Sequence, residues 1–292
     1  MNTTVQAKGP MPGLRIRNSS EWSSVQMHLQ AGGTLTPLLP LGDDAAIVWV
    51  RKNGCSTIKS VWLQLQGCRD EPLLCDPHMP ALPHTYWLTP QELKFVGQHR
   101  AVMAIWRDPV ERFVSACRSH LRELTRLAID QKLETTTDDE STYRKAVDYH
   151  RDLLLKHGVA SFADDSDPVY VMNAVALQLP QWIACHIDWS HHTIPQVAYL
   201  GGDPGCYHSL HGMESINELI QQWQTASGVE INGNAQNVSQ DLQHDNPWRG
   251  LKAEHLTPEA LEALNRFYAA DWAFLALAQA GMSSAESDLQ AA

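Results

Sequence analysis

The sequence is short of positive charge. Across 292 residues it carries 22 Lys and Arg against 33 Asp and Glu, a formal net charge of −11. Such a chain has no broad basic face for a polyanion, which argues against nucleic-acid binding. It also lacks the roughly 18 consecutive apolar residues that a membrane helix needs. Its start, MNTTVQAKGPMPGLRIRNSS, has no apolar core of the kind a secretory signal carries. These absences lead us to expect a cytoplasmic protein with no integral membrane segment. C-x-x-C pairs are missing as well. Cys55, Cys68, Cys75, Cys117, Cys185 and Cys206 are scattered, and in a reducing compartment they are expected as free thiols. The cluster CHIDWSHH (Cys185–His192) has metal-ligand residue types without a common zinc spacing, so no metal is expected.

What is present is ample apolar material, 43% of the residues, enough for a substantial core. We expect residues 1–44 to form a loose N-terminal arm, 45–280 a single domain, and 281–292 a disordered tail. AAIVWV (Ala45–Val50) reads as a buried strand, and STIKSVWLQLQ (Ser56–Gln66) as a helix. The pattern repeats in AVMAIW (Ala101–Trp106), which runs through Arg107-Asp108-Pro109 into a long helical segment. Asp108 suits the N-cap and Pro109 the first helical position. Phe113, Cys117, Leu121 and Leu124 give that helix a core face. A further helix is expected over Tyr143–Lys156, more helix over 170–189, a third strand at VAYLGG (197–202), and a closing helix over 256–278. Two strands each handing over to a helix imply an α/β fold with a central parallel sheet flanked by helices. Ligands in such folds bind outside the carboxyl ends of the strands.

Both handovers carry cations. VWVRKNGCSTIKS (Val48–Ser60) places Arg51 and Lys52 before Gly54, and Lys59 after it. A glycine loop exposes backbone N–H groups, and the following helix N-terminus adds partial positive charge. Ser56 and Thr57 add donors. The set favours a phosphate or a sulfate. It is not a Walker loop, because no GxxxxGK[ST] pattern occurs and Lys52 precedes the glycine. In RDPVERFVSACR (Arg107–Arg118), Arg107 leaves the second strand, and Arg112, Ser115 and Arg118 follow. An arginine fork grips phosphate oxygens in pairs.

Together the two segments resemble the sulfotransferases that use 3′-phosphoadenosine 5′-phosphosulfate (PAPS), most of all the carbohydrate type acting on chondroitin and dermatan, with their bacterial relatives. Arg51-Lys52-Asn53-Gly54-Cys55-Ser56-Thr57-Ile58-Lys59 is similar to that family's first motif. Arg107 through Arg118 is similar to its second. His192-Thr193-Ile194-Pro195-Gln196, Tyr207 through Glu214, and FYAADWAF (Phe267–Phe274) echo later family segments. Arg51 stands where the family has proline, Ile58 where it has tryptophan, and Cys117 where it has an aromatic residue.

The resemblance implies a P-loop-like sulfotransferase fold and PAPS as co-substrate. It implies that Lys52, Asn53, Gly54, Cys55, Ser56 and Thr57 hold the 5′-phosphosulfate, helped by Lys59. Arg107 and Ser115 would bind the 3′-phosphate. Lys52 would neutralise charge on the leaving oxygen. A general base is needed to activate an acceptor hydroxyl. His78, His84, His99, Glu71 and Glu92 lie between the motifs, and His78, then His84, is favoured. Trp87 and Trp248, in polar segments, are candidates to stack on a sugar or adenine. The expected acceptor is a hydroxyl on a carbohydrate or glycosylated metabolite. The alternatives are a nucleotide-dependent kinase with a variant phosphate loop and a non-catalytic PAPS-binding relative.

Overall fold

The computed structural model describes residues 11–70, 73–74, 77–121, 167–185, 187–231 and 247–291. The expected helix over 143–156, Leu124, Cys75, Glu71 and most of the polar segment 130–167 lie outside them. In chain order the elements begin with β1 (Leu14–Arg15), α1 (Ser19–Gln30), β2 (Thr36–Leu41), β3 (Ala45–Val48) and α2 (Cys55–Leu65). Then come α3 (His78–Ala81), β4 (Tyr86–Leu88), α4 (Pro90–His99), β5 (Ala101–Trp106) and α5 (Pro109–Ala116). After them follow α6 (Pro168–Leu177), α7 (Leu179–Cys185), α8 (Ile187–Thr193), α9 (Val197–Leu200) and β6 (Ser209–Gly212). The last three are α10 (Ile216–Ser227), α11 (Pro258–Phe267) and α12 (Ala269–Ala291).

The chain divides into two compact units. The first joins residues 1–107, 196–237 and 270–292, and the second joins 108–195 and 238–269. The first unit holds a six-stranded sheet of order β1-β4-β2-β3-β5-β6. It is an α/β unit, but its sheet is mixed. β3, β5 and β6 run parallel, whereas β2 is antiparallel to both β3 and β4, and β1 to β4. The expected central parallel sheet is therefore its half from β3 to β6. The parallel register sets Val48 opposite Ala104, and Trp106 opposite Gly212. The carboxyl ends of these three strands thus lie along one edge. Leu38, Leu39, Ala46, Ile47, Val48, Val102, Ala104 and Ile105 are fully buried. Such two-sided burial explains why β3 and β5 read as continuous apolar runs.

The arm expected over residues 1–44 contributes β1, α1 and β2 to this unit. β2 escaped the sequence reading because Pro37 and Pro40 lie inside it, and proline argues against an interior strand. Its register with β3 runs from Leu38 opposite Val48 to Leu41 opposite Ala45. VAYL, expected as a strand, is the short helix α9. The Asp271 carboxylate accepts from the backbone N–H groups of Gln196 and Val197, at 2.9 Å each. A tertiary cap therefore overrides the β preference of the residues, and Gly201, at φ 72°, ends the turn. The closing segment is two helices, with α12 continuing to Ala291.

The described residues of the second unit form helices and the turns between them. Asp108 caps α5 through its carboxylate, which accepts from Val110 and Glu111 N–H at 2.9 Å each. Phe113, Cys117 and Leu121 are fully buried, and the helix passes into a π-turn over Cys117–Leu121. Arg112 is buried and donates to the Ile194 carbonyl at 2.6 Å. Arg118 donates to the Leu251 carbonyl at 2.6 Å. Among the described residues no helix is long and apolar enough to cross a membrane.

Candidate anion site at the carboxyl edge of the sheet

The site is built on the loop between β3 and α2. Its backbone is unusual at Lys52, the one non-glycine among the described residues with positive φ, at 67°. Gly54 follows with φ 68°. A Cβ at Gly54 would come within 2.6 Å of Ile216 Cδ1 and 3.1 Å of Met213 Cε. The glycine is thus fixed both by handedness and by the start of α10 packed against it.

Asn53, between these two residues, is fully buried and turned inward. Its amide nitrogen donates to the Ile105 carbonyl at 2.9 Å and to Gln196 Oε1 at 2.6 Å. Its backbone N–H donates to Val50 O at 3.1 Å. Asn53 therefore anchors the loop and does not face an anion, which corrects its expected place in the binding set. Gln196 completes the anchor. Its Oε1 accepts from Arg107 N at 3.1 Å, and its Nε2 donates to Arg107 O at 2.7 Å. A side-chain amide here pairs with the backbone at the end of β5 as a strand neighbour would. Arg107 is held in turn to the loop, donating from Nη1 to the Lys52 carbonyl at 3.2 Å. Ser115 belongs to the second unit, where it is buried.

The first turn of α2 has no side-chain cap, since its N-cap is Gly54. The first N–H groups of a helix have no intrahelical partner. Those of Cys55, Ser56 and Thr57 are therefore donors at the positive end of the helix dipole. Ser56 is partly exposed, whereas Cys55, Thr57 and Lys59 are buried. Only Ser56 of these four can present its side chain outward. Cys55 and Thr57 can contribute backbone N–H groups.

Lys59 lies one turn behind this face. Its Nζ sits 3.4 Å from the Trp49 ring centroid and 3.1 Å from His78 Nδ1. His78, brought in from α3, reaches Ser56 Oγ with Nε2 at 2.9 Å. An ammonium has only donors, so Nδ1 accepts from Lys59. The proton of the neutral ring then sits on Nε2 and is donated to Ser56 Oγ. Burial lowers the His78 pKa from the usual 6.5 to about 3, helped by the charges of Lys59, Arg51 and Lys52. Four basic side chains thus converge here in a chain of net charge −11. The hydrogen-bond polarity also runs opposite to that of a Ser-His-Asp triad, where the ring accepts the serine proton.

The cations rest on tryptophans. The Trp49 and Trp87 rings meet edge-on at 5.5 Å, and Trp22 of α1 meets Trp87 at 5.6 Å. Arg51 lies 5.4 Å above Trp22, as Lys59 lies above Trp49. Face-on placement favours the charged form of each. Trp87 is therefore an interior platform and not a ligand stacker. Trp248 is buried as well. Trp22 was invisible as a site residue because its segment reads as an arm.

His84 is exposed and stacks on Trp62 at 5.2 Å, so it does not join the Ser56 cluster. His99 Nδ1 donates to the Phe95 carbonyl at 2.7 Å. Glu92 closes the capping box of α4 with Thr89. Among the described residues no three His, Cys, Asp or Glu side chains gather in a metal-holding group.

No family model, curated protein or solved structure matches the chain.

Proposed function

We propose that the chain is a sulfotransferase, moving the sulfuryl group of PAPS to an acceptor hydroxyl on a carbohydrate or glycosylated metabolite. The observation that carries the reading is the set of cations Lys59, Arg51 and Lys52 around His78, which bonds Ser56 in the uncapped first turn of α2. That donor set fits a multiply charged anion. The likeness of residues 51–59 and 107–118 to the two sulfotransferase motifs supports PAPS over other anions. Lys52 precedes Gly54, which disfavours the Walker geometry that an ordinary kinase needs.

In this reading PAPS supplies the activated sulfuryl group, and the chain supplies position and field. The N–H groups of Cys55, Ser56 and Thr57, with the Ser56 hydroxyl, hold the 5′-phosphosulfate. Lys52 holds its ammonium against the oxygen on which charge builds, the electrostatic role that dominates comparable transfers. Arg107 takes the 3′-phosphate. Each charge-assisted hydrogen bond contributes about 1.5–3 kcal/mol. The test is calorimetry with adenosine 3′,5′-bisphosphate and with adenosine 5′-phosphate. The bisphosphate is expected to bind roughly tenfold tighter or more, a difference of about 1.4 kcal/mol. Arg107→Ala is expected to remove that difference. Equal affinities, or a preference for ATP with magnesium, overturn the reading.

A further inference from the structure

His78 is the residue of the site whose role the geometry redefines. A general base must offer a free lone pair to the proton it abstracts, and works best with a pKa near the working pH. The His78 ring offers neither. Its accepting nitrogen, Nδ1, faces the Lys59 ammonium at 3.1 Å, and Nε2 faces Ser56 Oγ at 2.9 Å. Lys59 cannot swing away at low cost, since it is buried with its Nζ on the Trp49 ring. Among the described residues, the groups acting on His78 are Lys59 and Ser56 from α2, and Arg51 and Lys52 from the loop before it. The charged ones among these are cations, and they favour the neutral ring.

The chain of donors has a direction. Lys59 donates to His78, and His78 donates to Ser56. With one Ser56 lone pair occupied in this way, the hydroxyl proton is turned away from the ring. Ser56, partly exposed, stands in the first turn of α2, whose N-terminus has no side-chain cap and whose first N–H groups have no intrahelical partner.

We propose that His78 is a positioning residue and not the acceptor base: it relays the Lys59 donor to Ser56 and aims the Ser56 O–H at the anion held by the α2 N-terminus. The inference rests on the anion-site reading above. It adds that the site takes a group rich in acceptor oxygens, such as a phosphosulfate. The acceptor's base is consequently a group other than His78.

Two measurements on the full-length protein test this. The first is the ¹⁵N spectrum of the His78 ring in the ligand-free protein. The Nε2–H tautomer is expected, and an Nδ1–H tautomer overturns the proposal whatever the ligand. The second is binding of adenosine 3′,5′-bisphosphate to His78→Gln, His78→Ala, Ser56→Ala and the double variant His78→Ala/Ser56→Ala. Glutamine can place an N–H near the position of Nε2 but cannot act as a base. His78→Gln is expected to stay within about threefold of the native affinity, while His78→Ala and Ser56→Ala each lose roughly tenfold. The double variant is expected to lose no more than either single one. Unchanged affinity in His78→Ala, or additive losses, overturns the proposal. If the native protein fails to bind the bisphosphate, the sulfotransferase reading falls. The same comparison with inorganic pyrophosphate then decides the role of His78, by the same outcomes.

Discussion

Lys52 occupies a left-handed backbone conformation at φ 67°, which costs an L-residue about 1–2 kcal/mol. Strain of this kind persists where a side chain is needed in a particular place. Lys52→Gly is therefore expected to raise unfolding stability by roughly 1 kcal/mol while weakening anion binding. Urea melts and calorimetry on the same samples check both. Lys52→Ala isolates the charge, and it is expected to reduce turnover more than co-substrate affinity. Equal loss of both argues against contact with the leaving oxygen. Gly54 is the converse case. Gly54→Ala combines a positive φ with a Cβ 2.6 Å from Ile216 Cδ1. It is expected to cost about 1–3 kcal/mol, read by denaturant midpoint. Lys52 and Gly54 were legible from the sequence as a cationic glycine loop between a strand and a helix. The inward turn of Asn53 was not, because its partners Ile105 and Gln196 are remote in the chain.

Each of the two strand-to-helix handovers was legible, and for local reasons. An apolar run of strand length ends in a charged turn, and Asp108-Pro109 spells a helix start. Asp108→Ala should cost α5 about 1 kcal/mol, since two N–H groups lose their acceptor. A thermal melt measures it. The elements that escaped reading are those set by tertiary partners. Pro37 and Pro40 mask β2, and the Asp271 carboxylate makes α9 a helix. The tryptophan platform is likewise an assembly of three elements, joining Trp22 of α1, Trp87 of β4 and Trp49 after β3. No sequence period links those positions. The pairing of Ser56 and Lys59 with His78 crosses a segment of 22 residues or fewer in the chain, but only folding chooses His78 over His84.

At the scale of the whole molecule, a concentrated cationic site in an acidic chain must show in the pH and salt dependence of stability. The folded His78 titrates near 3 against the usual 6.5. Between those values the unfolded chain binds the extra proton, so this residue's contribution is full above pH 6.5 and is lost as pH falls toward 3. His78→Gln is expected to flatten the stability profile across that window. Added sulfate is expected to stabilise the native protein, and less so at high chloride, where screening is strong. The mixed sheet places the ends of β3, β5 and β6 on one edge. The measurement that bears most directly on what is held there is a crystal structure with adenosine 3′,5′-bisphosphate bound. The 5′-phosphate is expected within hydrogen-bond distance of Ser56 Oγ and the N–H groups of Cys55 and Thr57, with Arg107 on the 3′-phosphate. A nucleotide seated away from the β3–α2 loop contradicts it, as does the absence of any bound nucleotide at millimolar concentration.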